Sequence, residues 1–129
     1  MGLINKLFGN SATTKEEKHI PWMALNDLEQ LKAIESKSKT KAQVIFKHST
    51  RCGISSMVMR QFVSNYDLSE NDIDLYYLDL LSYRSISDAI AETFQVLHES
   101  PQLLVIKNGI VVRYASHSDV NAVNLNQLV

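Results

Sequence analysis

Two apolar, β-prone runs close this chain, QLLVI (Gln102 to Ile106) and IVVRY (Ile110 to Tyr114), and only Lys107, Asn108 and Gly109 stand between them. Asn-Gly between such runs is among the strongest short-range hairpin signals, because both central residues of a type I′ turn need positive φ. The end of the chain is therefore an antiparallel pair of strands, fed by a loop that contains Ser100-Pro101. Whatever precedes the pair has to supply partners for its edge and cover for its faces.

The upstream sequence supplies both. Val44, Ile45 and Phe46 form a short apolar strand, His48 to Thr50 a polar turn, and a helix follows with Met57, Val58, Phe62 and Val63 on its apolar face, ending near Asn65. The polar linker Asp67 to Asp72 leads into IDLYYLDLL, whose length and flanking turn residues predict a buried strand. A further helix is expected after Ser85, with Ile86, Ala89, Ile90, Phe94 and Leu97 at helical spacing. Strand, helix, strand, helix in this order makes a βαβ unit with parallel strands and a right-handed crossover. Before it, Pro21 and Trp22 start a short extended piece, and Asn26 with Glu29 three residues on has the pattern of a helix N-cap and its box partner. The KSKTK run (Lys37 to Lys41) reads as a solvated turn, and Asp119 to Val129 as a closing helix. Residues 1–19 read as an N-terminal arm, with Leu3, Ile4, Leu7 and Phe8 at the spacing of a short amphipathic helix, and 20–129 as the single globular domain.

Chemistry concentrates at Cys52, the only cysteine of the 129 residues. It falls between the polar turn and the helix, where unpaired backbone N–H groups and the helix dipole favour a negative charge. Arg51 supplies a neighbouring cation, so the surroundings favour a thiolate. Ser55 stands at C-x-x-S spacing, with Gly53 and Ile54 between; it can donate a hydrogen bond to the sulfur but cannot form a disulfide. His48, four residues before Cys52, is a candidate to hydrogen-bond the thiolate or move a proton, and Lys47 a candidate second cation, although a strand-end lysine is more often solvated.

Several function classes fall away. A formal net charge of -1 lacks the basic excess expected for nucleic acid or an anionic membrane. One cysteine excludes an internal disulfide and a cysteine-based zinc site, and His19, His48, His98 and His117 are scattered without ligand spacing. No apolar run approaches the roughly 20 residues of a membrane span, and no secretory signal pattern is visible at the N-terminus, so a cytoplasmic location is expected.

The order of cysteine motif, x-Pro loop and KNG hairpin resembles the thioredoxin fold, over roughly Trp22 to Val129. The resemblance implies a three-layer α/β domain, with a central mixed sheet of four to five strands flanked by helices. It maps the cis proline of that fold onto Pro101, and gives Ser100 the role of offering its backbone to an extended substrate. Within the superfamily, FKHSTRCGISS (Phe46 to Ser56) and HESPQ (His98 to Gln102) are similar to the YtxJ-like bacillithiol-system proteins, the monothiol bacilliredoxins. That family is associated with removing bacillithiol from mixed disulfides on cytoplasmic proteins. The resemblance implies a catalytic Cys52 and no tightly bound cofactor. Bacillithiol would be the low-molecular-weight thiol co-substrate, and bacillithiol itself or a dedicated disulfide reductase the resolving partner. Family members commonly carry proline after the cysteine, where this chain has Gly53. CGIS also resembles the CGFS of monothiol glutaredoxins, which bind glutathione and iron-sulfur clusters, but ASHSD (Ala115 to Asp119) stands where those proteins carry Gly-Gly-x-Asp. A redox-inactive adaptor using the Pro101 loop to hold partners is the alternative from another class.

Overall fold

The computed structural model describes residues 19–129, so the amphipathic pattern of the N-terminal arm lies outside the described residues. In chain order the elements are β1 (Trp22–Ala24), α1 (Glu29–Lys37), β2 (Ala42–His48), α2 (Gly53–Asn65), β3 (Ile73–Asp79), α3 (Arg84–Phe94), β4 (Gln102–Lys107) and β5 (Ile110–Ser116). Two short 3-10 turns, His117–Ala122 and Leu125–Gln127, end the chain. The five strands lie in the order β1-β3-β2-β4-β5. β2 runs parallel to β3 and antiparallel to β4, and β5 returns antiparallel to β4. This is the mixed sheet in three α/β layers that the thioredoxin-fold resemblance implied.

β2 is central and buried along its whole length, which is why its sequence is nearly continuous in apolar residues. Its side chains alternate between two cores. Ile45 joins Tyr76, Leu78, Leu104 and Ile106 beneath α1 and α3, while Val44 and Phe46 join Leu75, Leu103 and Val105 beneath Val58 and Phe62 of α2. The second core holds an aromatic group, with Trp22 5.9 Å from Phe46 and Phe46 5.1 Å from Phe62 between ring centroids. The same alternation sends Lys47 toward α3 and its neighbour His48 toward α2.

The hairpin forms as expected: Asn108 and Gly109 have φ of 55° and 81°, and Lys107 faces Ile110 across the turn. Ser38 secures the turn from below, its carbonyl accepting from Asn108 N at 2.7 Å and its hydroxyl from Gly109 N at 2.8 Å. The Ser38 of the KSKTK run is accordingly buried rather than solvated.

Four local expectations need correction. The capping box of α1 is shifted by one residue: Asp27 Oδ1 accepts from Glu29 N, and Gln30 Oε1 accepts from Asn26 N and Asp27 N. On α2 the buried stripe is Ser55, Val58 and Phe62, and Met57 is 55% exposed. α3 includes Ser85 and stops at Phe94, because Gln95 adopts a left-handed conformation at φ 58°; Leu97 lies beyond it, exposed. The C-terminal segment forms 3-10 turns instead of a helix, since Val123 and Asn124 leave helical geometry and the Asn124 side chain caps the next turn through Asn126 N.

Candidate active site

Cys52 is the N-cap residue of α2. Its backbone is extended (φ -103°, ψ 120°), its N–H donates to Ser49 O at 3.1 Å, and its carbonyl accepts from Ser56 N at 3.0 Å. The turn from Ser49 to Cys52 thus delivers the side chain to the mouth of the helix. An N-cap serine or aspartate would there accept from the first-turn N–H groups. Cys52 makes no such capping bond, so those dipoles remain available to a sulfur bearing negative charge. Cys52 is partly exposed and Arg51 is fully on the surface. The one ion pair among the described residues, Lys41 to Asp74 at 2.9 Å, is at the opposite end of β2, so no described carboxylate is paired with Arg51. Gly53 is the first helical residue, with open space where a Cβ would stand.

Ser55 and His48 do not reach for the thiol. Ser55 is completely buried beneath the turn, where its Oγ accepts from Ser49 N at 3.1 Å and lies 2.7 Å from His48 Nδ1. Neither residue has a hydrogen bond to the Cys52 sulfur among the described residues. Burial lowers the pKa of His48, with the Asp79 carboxylate opposing it, so the imidazole is neutral near pH 7. The 2.7 Å contact joins the neutral ring to the Ser55 hydroxyl in either tautomer, with Nδ1 accepting from Oγ or donating to it. Together they bolt the turn carrying Cys52 onto the first turn of α2, and their expected direct action on the thiolate is replaced by support from below.

The Ser100-Pro101 peptide bond is cis, as the resemblance implied. Pro101 O accepts from His117 N at 2.9 Å, and the next residue, Gln102, is the register partner of Lys47. The loop therefore emerges at the end of the sheet where β2 delivers the turn to Cys52. The Ser100 hydroxyl is buried without a hydrogen-bond partner among the described residues.

The family model of monothiol bacilliredoxin BrxC matches residues 23–125. The chain belongs to that family. A thioredoxin-fold protein described as a candidate oxidoreductase is 34% identical over 83% of this chain and 92% of its own, with a TM-score of 0.69. Thioredoxin from Malassezia sympodialis shares the fold at 17% identity, 91% and 93% coverage and TM-score 0.64. Thioredoxin O2 from Arabidopsis thaliana does so at 20% identity, 84% and 90% coverage and TM-score 0.56. The family makes this a redox thiol protein in which bacillithiol is involved.

In this bacilliredoxin-family chain, Lys47 departs most from the sequence reading. It is wholly buried on the α3 side of the sheet, on the face away from Cys52, and is not solvated at all. Its Nζ lies 3.3 Å from His98 Nδ1 and 3.5 Å from the Ser87 carbonyl, while Ser87 Oγ lies 3.0 Å from the same His98 nitrogen. Burial lowers its pKa from 10.5 to about 8, with Asp88 opposing. Sequence reasoning missed this cluster because Ser87 and His98 are apolar-face and loop positions that only α3 packing brings under β2.

Proposed function

We propose that this protein removes bacillithiol from mixed disulfides on cytoplasmic proteins, with Cys52 as nucleophile. The observation that carries the reading is a lone, partly exposed cysteine at an uncapped helix N-terminus, beside an exposed arginine with no ion pair among the described residues, in a bacilliredoxin-family chain. The Cys52 thiolate attacks the bacillithiol sulfur, the bond to the client sulfur breaks, and the client leaves as a thiolate that takes up a proton. The disulfide passes from client to enzyme: the client sulfur is reduced to the thiol level as the Cys52 sulfur is oxidised to the same extent, and a Cys52-bacillithiol disulfide forms. Nothing in the chain can release that adduct, since Ser55 is a hydroxyl tied into the support of the turn. A second bacillithiol, leaving as bacillithiol disulfide, or a separate disulfide reductase returns Cys52 to the thiol.

Arg51 and the α2 N–H groups, Gly53 included, hold the thiolate, while the backbone of Ser100 beside Pro101 receives the client chain. Ile54 and Met57, 57% and 55% exposed on the first turns of α2, offer the client apolar surface close to the thiol. Residues 20–129 form the redox domain and 1–19 an N-terminal arm. Mixing the protein with a bacillithiolated client and following both intact masses tests the mechanism. A one-to-one bacillithiol adduct should appear on Cys52 as the client loses its own. Client reduction without that adduct, or by Cys52→Ala, refutes it; an unreactive Cys52 favours the adaptor reading.

A further inference from the structure

The loop carrying Ser100 and Pro101 has no regular structure from Val96 to Ser100, yet it is held from behind by side chains of three elements. His98 is gripped through Nδ1 by Lys47 Nζ at 3.3 Å and Ser87 Oγ at 3.0 Å, and the Leu97 carbonyl accepts from Gln102 Nε2 at 3.0 Å. Lys47, Ser87 and Gln102 are all completely buried, so these anchors do not yield to solvent. An ammonium has no lone pair, so a protonated Lys47 requires His98 Nδ1 to accept, which fixes the neutral Nε2–H tautomer. Burial foremost, then Lys47 and Arg84, lower the pKa of His98 against Asp88 and Glu99.

We propose that Lys47, Ser87 and His98 form a buried latch that sets the conformation of the client-binding loop, making Lys47 and His98 positioning residues for exchange. They act through the loop backbone, since Lys47 lies on the sheet face opposite the one that supports Cys52. The inference rests on the reading of Ser100-Pro101 as the client-binding segment, and deepens it.

The test separates the client from the thiol. Wild type, Lys47→Met, His98→Leu and His98→Gln are compared for turnover of a bacillithiolated peptide, for Cys52 alkylation by iodoacetamide, and for amide hydrogen exchange by mass spectrometry. Lys47→Met and His98→Leu should raise KM for the peptide about tenfold with kcat little changed. Alkylation, which needs no client loop, should stay within about twofold. His98→Gln, whose amide oxygen preserves an acceptor for Lys47, should recover most of the KM. Exchange over residues 97–100 should quicken about tenfold or more in the two disrupted variants, while β2 and α2 stay protected. Unchanged KM, or alkylation that slows in step with turnover, overturns the latch. If the wild type transfers no bacillithiol, the functional reading fails by itself. The latch is then judged on exchange alone, and unchanged protection of 97–100 overturns it.

Discussion

Replacing Lys47 with methionine should make this protein more stable. The ammonium sits in a site without a carboxylate partner in contact, offered only a histidine nitrogen and a distant carbonyl. Burial takes its pKa from 10.5 down to about 8, against the opposing pull of Asp88. The folded protein therefore holds this proton less tightly than the unfolded chain, which at about 1.4 kcal/mol per tenfold in affinity is a penalty of about 3 kcal/mol. The sign follows from proton counts. Between pH 8 and 10.5 the unfolded state binds more protons, so stability rises with pH across that window, and below it the whole penalty stands. Methionine fills a similar volume without the charge but gives up the contacts to Ser87 and His98, leaving a net gain of about 2 kcal/mol near pH 7. Urea unfolding followed by fluorescence of Trp22, the sole tryptophan, packed on Phe46 and Phe62, is the assay. The midpoint should rise by about 1 M at pH 7, and the gap between variant and wild type should narrow as pH approaches 10. A variant less stable at pH 7, or a gap independent of pH, would refute this account.

Other outcomes follow from the same geometry. Ser55→Ala should cost about 1–3 kcal/mol in the same urea assay, because it strands His48 Nδ1 and Ser49 N in a buried site, and it should slow Cys52 alkylation by loosening the turn. Gly53→Pro occupies the first helical position, where the space is open and the N–H has no partner within the helix, so stability should hold or rise by about 0.5–1 kcal/mol while Cys52 alkylation slows for want of one donor to the thiolate; a marked loss of stability would mean that the turn needs glycine there. Arg51→Ala should slow alkylation of Cys52 at neutral pH and weaken its dependence on salt, whereas identical rates at all salt concentrations would remove Arg51 from the site. Acidification below about pH 6.5 should destabilise the fold, since His48 and His98 are held neutral and the unfolded chain takes up protons there first; His48→Gln should flatten part of that slope.

The local chain determined a good deal of this protein. Asn108-Gly109 could only turn a hairpin, since both residues must take positive φ. The apolar runs at β2 and β3 separated by one helix had to be parallel neighbours, and a cysteine between a polar turn and that helix had to sit at its N-terminus. Those features depend on neighbours close in sequence. Helix ends were less legible, because a one-residue shift in the Asp27 and Gln30 box, or a left-handed Gln95, changes little in hydrophobic spacing. The roles of His48, Ser55 and Lys47 were decided by tertiary packing alone. Strand alternation placed His48 and Lys47 on opposite faces, but only the docking of α2 set Ser55 under the Ser49 turn, and only the docking of α3 set Ser87 and the His98 loop against Lys47. A lysine at a strand end looks solvated until the helix that buries it is in place.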